Sequence, residues 1–450
     1  MSPRDDVSSA SAPSGIGEDE RTGRAAWYLI FVLTLAYTAS FIDRQVLNLL
    51  VGPIKAQYHL SDTKLSLLQG FAFTLSYIAM SPLFGRLADI GNRRNILTLG
   101  IVLWSLGTAG CGLARNFGQI FMARLGVGGA EACLTPASWS IISDSFPPSR
   151  IPRAFSIYMI GPYLGGGLAL IFGGILLNAI TEIDRSGWWL FGSLTPWQLV
   201  FLMVGTPGIG VALLLRFVKE PVRHETASGA ISERATMREV WGGFVARRDF
   251  YLNFYGGMAL MIIALYGFPA WIPAMLMRQF GMPAATVGLQ YGALVLVAGT
   301  LGVLSGPWVA ARLGARGRGD QLVFVPLVCT LSLVPVSASL LFVSSYPAAL
   351  AIATLAAYLY SLPQALASAA LQLATPNRMR GFASAIYVFA VSITGLGVAP
   401  TVVALITDRV FVDEKMVGAS LGITCMVACA LGAVLLWRCL PAYRRMIGRP

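Results

Sequence analysis

Residues 218–248 read VKEPVRHETASGAISERATMREVWGGFVARR, a polar, basic break in an otherwise strongly apolar chain. Ahead of it, apolar runs of roughly 20 residues, enough to cross hydrocarbon as helix, fall at about 26–50, 64–84, 96–113, 119–142, 153–177 and 197–217. Six more follow at about 249–273, 284–309, 321–342, 347–371, 382–405 and 418–440. The expectation is an all-α polytopic membrane protein: twelve transmembrane helices in two pseudo-symmetric six-helix bundles, 26–217 and 249–440. The break itself, with an amphipathic helix from Met237 to Arg248, is expected to lie on one membrane surface.

Composition supports this class. The chain is 56% hydrophobic and 12% charged with a mean hydropathy of +0.68, whereas charged residues approach about a quarter of a soluble domain. Residues 1–25 are charged and rich in Ser, Pro and Gly, with no apolar stretch to serve as a signal-peptide core, and are expected to be a disordered tail. Residues 441–450 form a second short tail. The net charge of +12 follows from topology better than from nucleic-acid binding. With both termini cytoplasmic, most basic residues fall on the cytoplasmic side of the twelve spans, as the positive-inside rule requires. A multi-pass protein of a bacterial inner membrane is the expected location. Cys425 and Cys429 share a helix face and read as packing residues, and none of the six cysteines has paired loop spacing. His59 and His224 both lie in loops, so a histidine-based metal centre is not expected.

The first apolar run carries Phe41-Ile42-Asp43-Arg44, and the fourth carries Arg124 and Glu131. A charge near the bilayer centre costs about 3 kcal/mol on insertion scales, so such residues face a protein interior or a water cavity and mark an ion or substrate pathway. Arg124 and Glu131 are two helical turns apart and share a face, while Asp43 and Arg44 point about 100° apart. Each member of the first pair therefore needs a partner on another helix, and the fourth run offers one acid and one base. A protonatable carboxylate held by a fixed cation is what a proton relay requires. A buried network that only fixes packing is the alternative.

The halves repeat. Gly85-Arg-Leu-Ala-Asp89-Ile-Gly-Asn-Arg93-Arg94 follows the second run, and a related string from Gly306 to Arg316 follows the eighth; PPSRIPRAFSIY (147–158) and TPNRMRGFASAIY (375–387) follow the fourth and tenth. Repeated halves place a substrate site at their interface near the midplane.

The string from Gly85 to Arg94 resembles the loop signature of the major facilitator superfamily, although Ile90 stands for the usual basic residue and Asn92 for the second glycine. The resemblance implies that Gly85 allows close helix approach and that Asp89, Arg93 and Arg94 form a cytoplasmic gate. Together with FIDR, residues 124–150 and the stretch from Thr195 to Arg223, it narrows to the spinster branch. That branch implies a proton-coupled carrier whose eukaryotic members move lysophospholipids and sphingoid phosphates. Carried over, Asp43 and Glu131 are proton-linked, with Arg44 and Arg124 as partners. Gly161-Pro-Tyr-Leu-Gly-Gly-Gly167 resembles a motif of drug/proton antiporters, and close helix packing accounts for it equally well.

Candidates for a substrate cavity are the polar or aromatic residues of the spans: Tyr37, Asn48, Gln69, Tyr77, Thr135, Tyr158, Tyr163, Asn253, Tyr266, Tyr358, Gln364 and Tyr387. The second half has no acid deep in a span, which leaves its wall more apolar and suits an amphipathic substrate. The sequence lacks the G-x-x-x-x-G-K-[ST] phosphate loop of an ATP-driven pump. The intramembrane charges are too few and too local for a channel. The resulting expectation is a transporter, not an enzyme: proton-coupled, working by alternating access, without cofactor, as a monomer among membrane lipids, on a lipid-like or organic anionic substrate. The second reading is a small organic acid or drug/proton antiporter in which Arg44 or Arg124 binds the substrate anion.

Overall fold

In the computed structural model, residues 23–147, 150–185, 194–221, 237–376 and 379–447 are described. The helices in chain order are α1 (Arg24–Tyr58), α2 (Asp62–Ser66), α3 (Ala72–Ile90), α4 (Arg93–Leu113), α5 (Phe117–Glu131), α6 (Leu134–Ser145), α7 (Ile151–Tyr158), α8 (Gly161–Arg185) and α9 (Pro196–Leu215) in the first half. The break carries α10 (Met237–Ala246). The second half holds α11 (Arg248–Phe280), α12 (Ala284–Ala315), α13 (Gln321–Ala338), α14 (Tyr346–Ser361), α15 (Gln364–Ala374), α16 (Arg380–Ser392), α17 (Ala399–Ile406) and α18 (Val417–Met446). The tail expected at 1–25 lies outside the described residues up to 22, as does 222–236 of the break. At the other terminus α18 runs through Pro441 to Met446, so much of the expected tail is helix.

Polar caps set the helix starts between apolar runs. Asn92 and Asn116 accept from the backbone N–H groups of Asn95 and Gln119, and Thr195 and Gln198 form a reciprocal capping box. Among the described residues, eleven helices are long and apolar enough to cross a membrane. The expected run at 119–142 is α5 plus α6, which the chain breaks at Ala132 and Cys133. Pro136 has no N–H to offer the carbonyl one turn back, so the ladder cannot pass through, and Glu131 is left at the end of a helix. The tenth run breaks likewise before Gln364, at Leu362 and Pro363.

The end of the molecule that carries α10 is called the linker end here. α4 packs on α9 and α5, and α1 on α8; in the second half α18 packs on α11 and α13, and α12 on α14. The halves meet along α8 and α12, along α1 and α11, and where π turns interrupt two helices, Leu67–Phe71 and Ile393–Val398. The glycines of the 161–167 string serve packing. A Cβ on Gly165 would strike the Thr38 carbonyl, and one on Gly167 would sit 2.5 Å from Leu296 Cβ.

Opposite the linker end, ion pairs tie the halves. Asp62, fully buried, accepts from Lys55 at 2.6 Å and from both terminal nitrogens of Arg278 at 2.6 and 2.9 Å. Glu414 lies 2.8 Å from Lys55. Asp408 accepts from the backbone N–H of Thr63 at 2.7 Å, at the start of α2.

A second carboxylate ties the linker end of the second bundle. Asp320 accepts from Arg318 Nε at 2.8 Å and from Arg444 Nη2 at 2.6 Å. Burial alone would raise its pKa, but the hydrogen bonds from Arg444 and Arg318 outweigh it and hold the carboxyl below the usual carboxylate range. A carboxyl with a depressed folded-state pKa stabilises fully above its unfolded value and loses that contribution as pH falls through the folded one. Asp320→Asn is therefore expected to melt below wild type at pH 7. The two melting curves should converge as pH falls below the ordinary carboxylate value of about 3.9, and a gap that stays constant with pH would refute the assignment.

Candidate functional site

Residues one turn apart on α1 converge on the acid at the broken end of α5. Ser40 Oγ donates to Glu131 Oε2 at 2.7 Å, and Arg44 reaches the same oxygen through Nε at 2.7 Å and Nη2 at 2.5 Å. Glu131 is fully buried, and the Arg44 side chain keeps 13% exposure. The guanidinium lies over aromatic rings, 4.3 Å from the Phe73 centroid and 4.8 Å from that of Phe41, which favours the cation where water is scarce.

Arg124, also fully buried, departs from the expectation of a side-chain partner for Asp43. Its Nη1 donates to the Asp43 backbone carbonyl at 3.1 Å and its Nε to the Leu68 carbonyl at 3.2 Å. Leu68 sits in the π turn, whose i→i+5 pattern loosens the ladder and leaves carbonyls for other donors. The Asp43 side chain, 2% exposed, lies beside Thr108 on α4. Among the described residues, two polar atoms of the four charged side chains are buried without a hydrogen-bond partner, Glu131 Oε1 and Arg124 Nη2.

The two arginines border a narrow cavity of about 30 Å³, room for one water. Arg44, Gln45, Asn48, Gln69 and Arg124 form its polar wall, and Ala270, Leu396 and Pro400 of the second half its apolar one. The expected substrate cavity is thus a water-sized slot in this conformation. Of its candidates, Asn48, Gln69 and Tyr266 line the slot, and Gln69 bridges the halves through the Ala270 carbonyl at 3.1 Å. Tyr37 stacks on Tyr158 at 4.7 Å, and Tyr77 meets Thr135 at 3.4 Å, both within the first half. Tyr163 packs against Gly299.

The remaining candidates are placed elsewhere. Asn253 bonds the Asp249 carbonyl of its own helix, Gln364 bonds back across the break to the Tyr360 carbonyl of α14, Tyr358 bonds Ser305, and Tyr387 stacks on Phe254. Such residues satisfy themselves or their bundle, which composition alone cannot reveal. Ser40 was not anticipated, although its i, i+4 spacing from Arg44 puts it on the same face.

The loop between α3 and α4 builds a second charged cluster. Glu220 takes the backbone N–H groups of Arg93 and Arg94 at 3.0 and 2.9 Å, filling the vacant donors at the start of α4. Arg93 also pairs with Glu220 through Nε at 3.0 Å, with Asp144, and with Ser140 at 2.8 Å. Arg94 reaches the Val218 carbonyl at 3.2 Å. All these partners belong to the first half or the start of the break. The Asp89 side chain lies outside the described residues. Gly85 meets no close neighbour in this conformation among the described residues, none of which lies within 4 Å of where its Cβ would be.

Comparison with known proteins bears on what the arrangement is for. The family model described as Major Facilitator Superfamily matches residues 33–400. An MFS-type efflux pump of Mycolicibacterium smegmatis is 27% identical over 433 residues, covering 95% of this chain and 96% of that one. A sphingosine-1-phosphate transporter of Danio rerio is 27% identical over 317 residues, covering 67% of this chain and 59% of that one. Among solved structures, a bacterial homologue of the human lysosomal transporter spinster, inward-facing and unoccupied, superposes with a TM-score of 0.78 at 25% identity, covering 95% of this chain and 98% of that one.

Proposed function

The chain belongs to the major facilitator superfamily, with spinster proteins among its relatives, as a multi-pass integral membrane transporter rather than an enzyme, and from that premise we propose that it couples an amphipathic, lipid-like or organic anionic substrate to protons by alternating access. In this reading α5 and α6 together make the fourth of twelve spans. Both termini and α10 are cytoplasmic, the membrane is a bacterial inner membrane, and the carrier works as a monomer on the proton gradient without a cofactor.

One observation carries the reading. Glu131 is held by Arg44 and Ser40 through a single oxygen, its other oxygen is buried and unpartnered among the described residues, and Arg44 itself lines a water-sized slot. An acid so held has Arg44 as its counter-charge in this conformation and loses it when the two helices part, which is the kind of exchange a proton relay uses. Asp43, beside Thr108, is the second proton-linked acid, and Arg124 fixes its backbone. Closure opposite the linker end by Asp62, Lys55, Arg278 and Glu414 supports a cavity that opens toward the cytoplasm. In the opposite state Gly85, Asp89, Arg93 and Arg94 would gate that side. The apolar second-half wall and the sphingosine-1-phosphate transporter among the relatives support a substrate with a hydrocarbon tail.

The unpartnered Arg124 Nη2 favours a second reading, an antiporter of small organic acids or drugs in which Arg124, or Arg44, binds the substrate anion. Proteoliposomes separate the two. Under an imposed pH gradient, wild type should accumulate a lysophospholipid and Asp43→Asn should lose most of that flux. Equal transport by both proteins would end the proton-coupling reading. A lysophospholipid that neither stabilises the protein nor competes with substrate would end the lipid one.

A further inference from the structure

We propose that the linker end of the second bundle carries a binding site for the phosphate headgroup of an anionic membrane phospholipid, framed by Arg316, Arg318 and Arg444. A cavity of about 680 Å³ opens there, between the loop that joins α12 to α13 and the end of α18. That volume falls within the range of small-molecule sites, about 300–1,000 Å³.

Asp320 organises the site from below. At 2% exposure it uses one oxygen on Arg318 and the other on Arg444. Two guanidinium groups are thereby held at the rim, each with further N–H donors left over. Arg318 is braced from behind, its guanidinium 3.2 Å from the Phe324 ring centroid. Arg316 is exposed, with no partner among the described residues. Three cations, two of them held in place, against one carboxylate leave an excess of two positive charges, which a phosphate group complements, and guanidinium forks match phosphate oxygens two at a time.

The position selects a lipid over a soluble anion. The cavity lies where two candidate spans, Ala284–Ala315 and Gln321–Leu341, are joined, and at the end of a third, Glu414–Met446. Trp308 and Trp437, 56% and 65% exposed, mark the same end of α12 and α18, and Arg312 stacks over Trp308 at 3.7 Å. Exposed tryptophans at helix ends sit at headgroup depth. A basic pocket between spans at that depth is built for a phospholipid phosphate. This site is separate from the Glu131 cluster and does not rest on the identity of the transported substrate.

The test uses the full chain in a neutral detergent. Melting temperature is followed while dioleoylphosphatidylglycerol, dioleoylphosphatidylcholine or glycerol phosphate is added at equal phosphate concentration. Phosphatidylglycerol should raise the melting temperature saturably and the other two should not. Arg316→Gln, which breaks no internal contact, should raise the half-saturating lipid concentration about fivefold, and Arg316→Gln with Arg318→Gln about 25-fold, each read against its own lipid-free baseline. Equal shifts with phosphatidylcholine, a full shift with glycerol phosphate alone, or an unchanged midpoint in Arg316→Gln would each overturn the proposal.

Discussion

Glu131→Gln is expected to lose at least about nine-tenths of pH-gradient-driven uptake while keeping substrate exchange across proteoliposomes with no gradient. Glutamine is close in shape to the protonated acid, so the carrier can still cycle with substrate bound on both journeys, but it cannot release a proton between them. The substitution leaves Arg44 without a counter-charge. Breaking a fully buried pair costs about 3–5 kcal/mol, and the 13% exposure of Arg44, with an amide oxygen still able to accept from it and from Ser40, puts the expected cost at the low end. Flux is therefore normalised to folded protein. Retained gradient-driven uptake would remove Glu131 from the coupling step. Loss of exchange together with uptake would assign it to substrate binding or packing instead.

Gly70→Ala is expected to disfavour the conformation described here. Gly70 lies in the π turn of the first half, and its missing Cβ is where the Leu396 carbonyl oxygen of the other π turn already sits. The obstacle is backbone, which cannot swing aside as a flexible side chain would. Overpacking of this kind costs about 1–3 kcal/mol and at times more, and a 3 kcal/mol penalty moves a two-state ratio by roughly two decades. Alanine is also the better helix former, by about 1 kcal/mol, so a propensity effect alone would act in the opposite direction. Spin labels at Ala56→Cys and Lys415→Cys, both exposed and on opposite halves, report the separation at the closed end. The six native cysteines are all buried, which favours selective labelling. The inter-label distance should lengthen and net transport should fall several-fold. An unchanged distance would show that the π turns slide past one another without a seated contact.

Hydropathy and charge placement made much of this architecture legible. Runs of apolar residues separated by Asn, Ser and Thr caps have few alternatives, and a charge inside such a run has to face protein or water. Arg44 and Glu131 could be matched because both are ions in an apolar setting, each with need of the other. Arg124 could not be placed the same way, because its targets are main-chain carbonyls, which carry no residue signature. The π turn that presents one of them has no compositional mark either. The tie between Asp62 and Arg278 escaped for another reason. Their separation of 216 residues is bridged only once two bundles have docked, and short loops on that side look like ordinary solvated polar segments. Tyr358 and Tyr387 pack within the second half, a role that composition does not mark, since a tyrosine in a span offers an apolar ring as readily as a hydroxyl. Contacts to main-chain carbonyls and contacts between docked bundles are thus less visible in sequence than a pair of ions within apolar runs.

The buried tie opposite the linker end also sets how the protein answers to ionic strength. Dissolved ions weaken interactions between charges they can surround, and a buried pair is screened far less. Asp62 has no exposed surface, whereas the Glu414 side chain beside it is 58% exposed. Rising salt on that face therefore weakens the outer member of the cluster and spares the inner one. The linker-end cluster around Asp320 behaves differently, because the Arg318 and Arg444 side chains are 37% and 43% exposed to the same ions. Concentrated electrolyte is thus a lever that acts on the two ends of one carrier unequally, loosening the linker-end loop while the opposite end keeps its central bond.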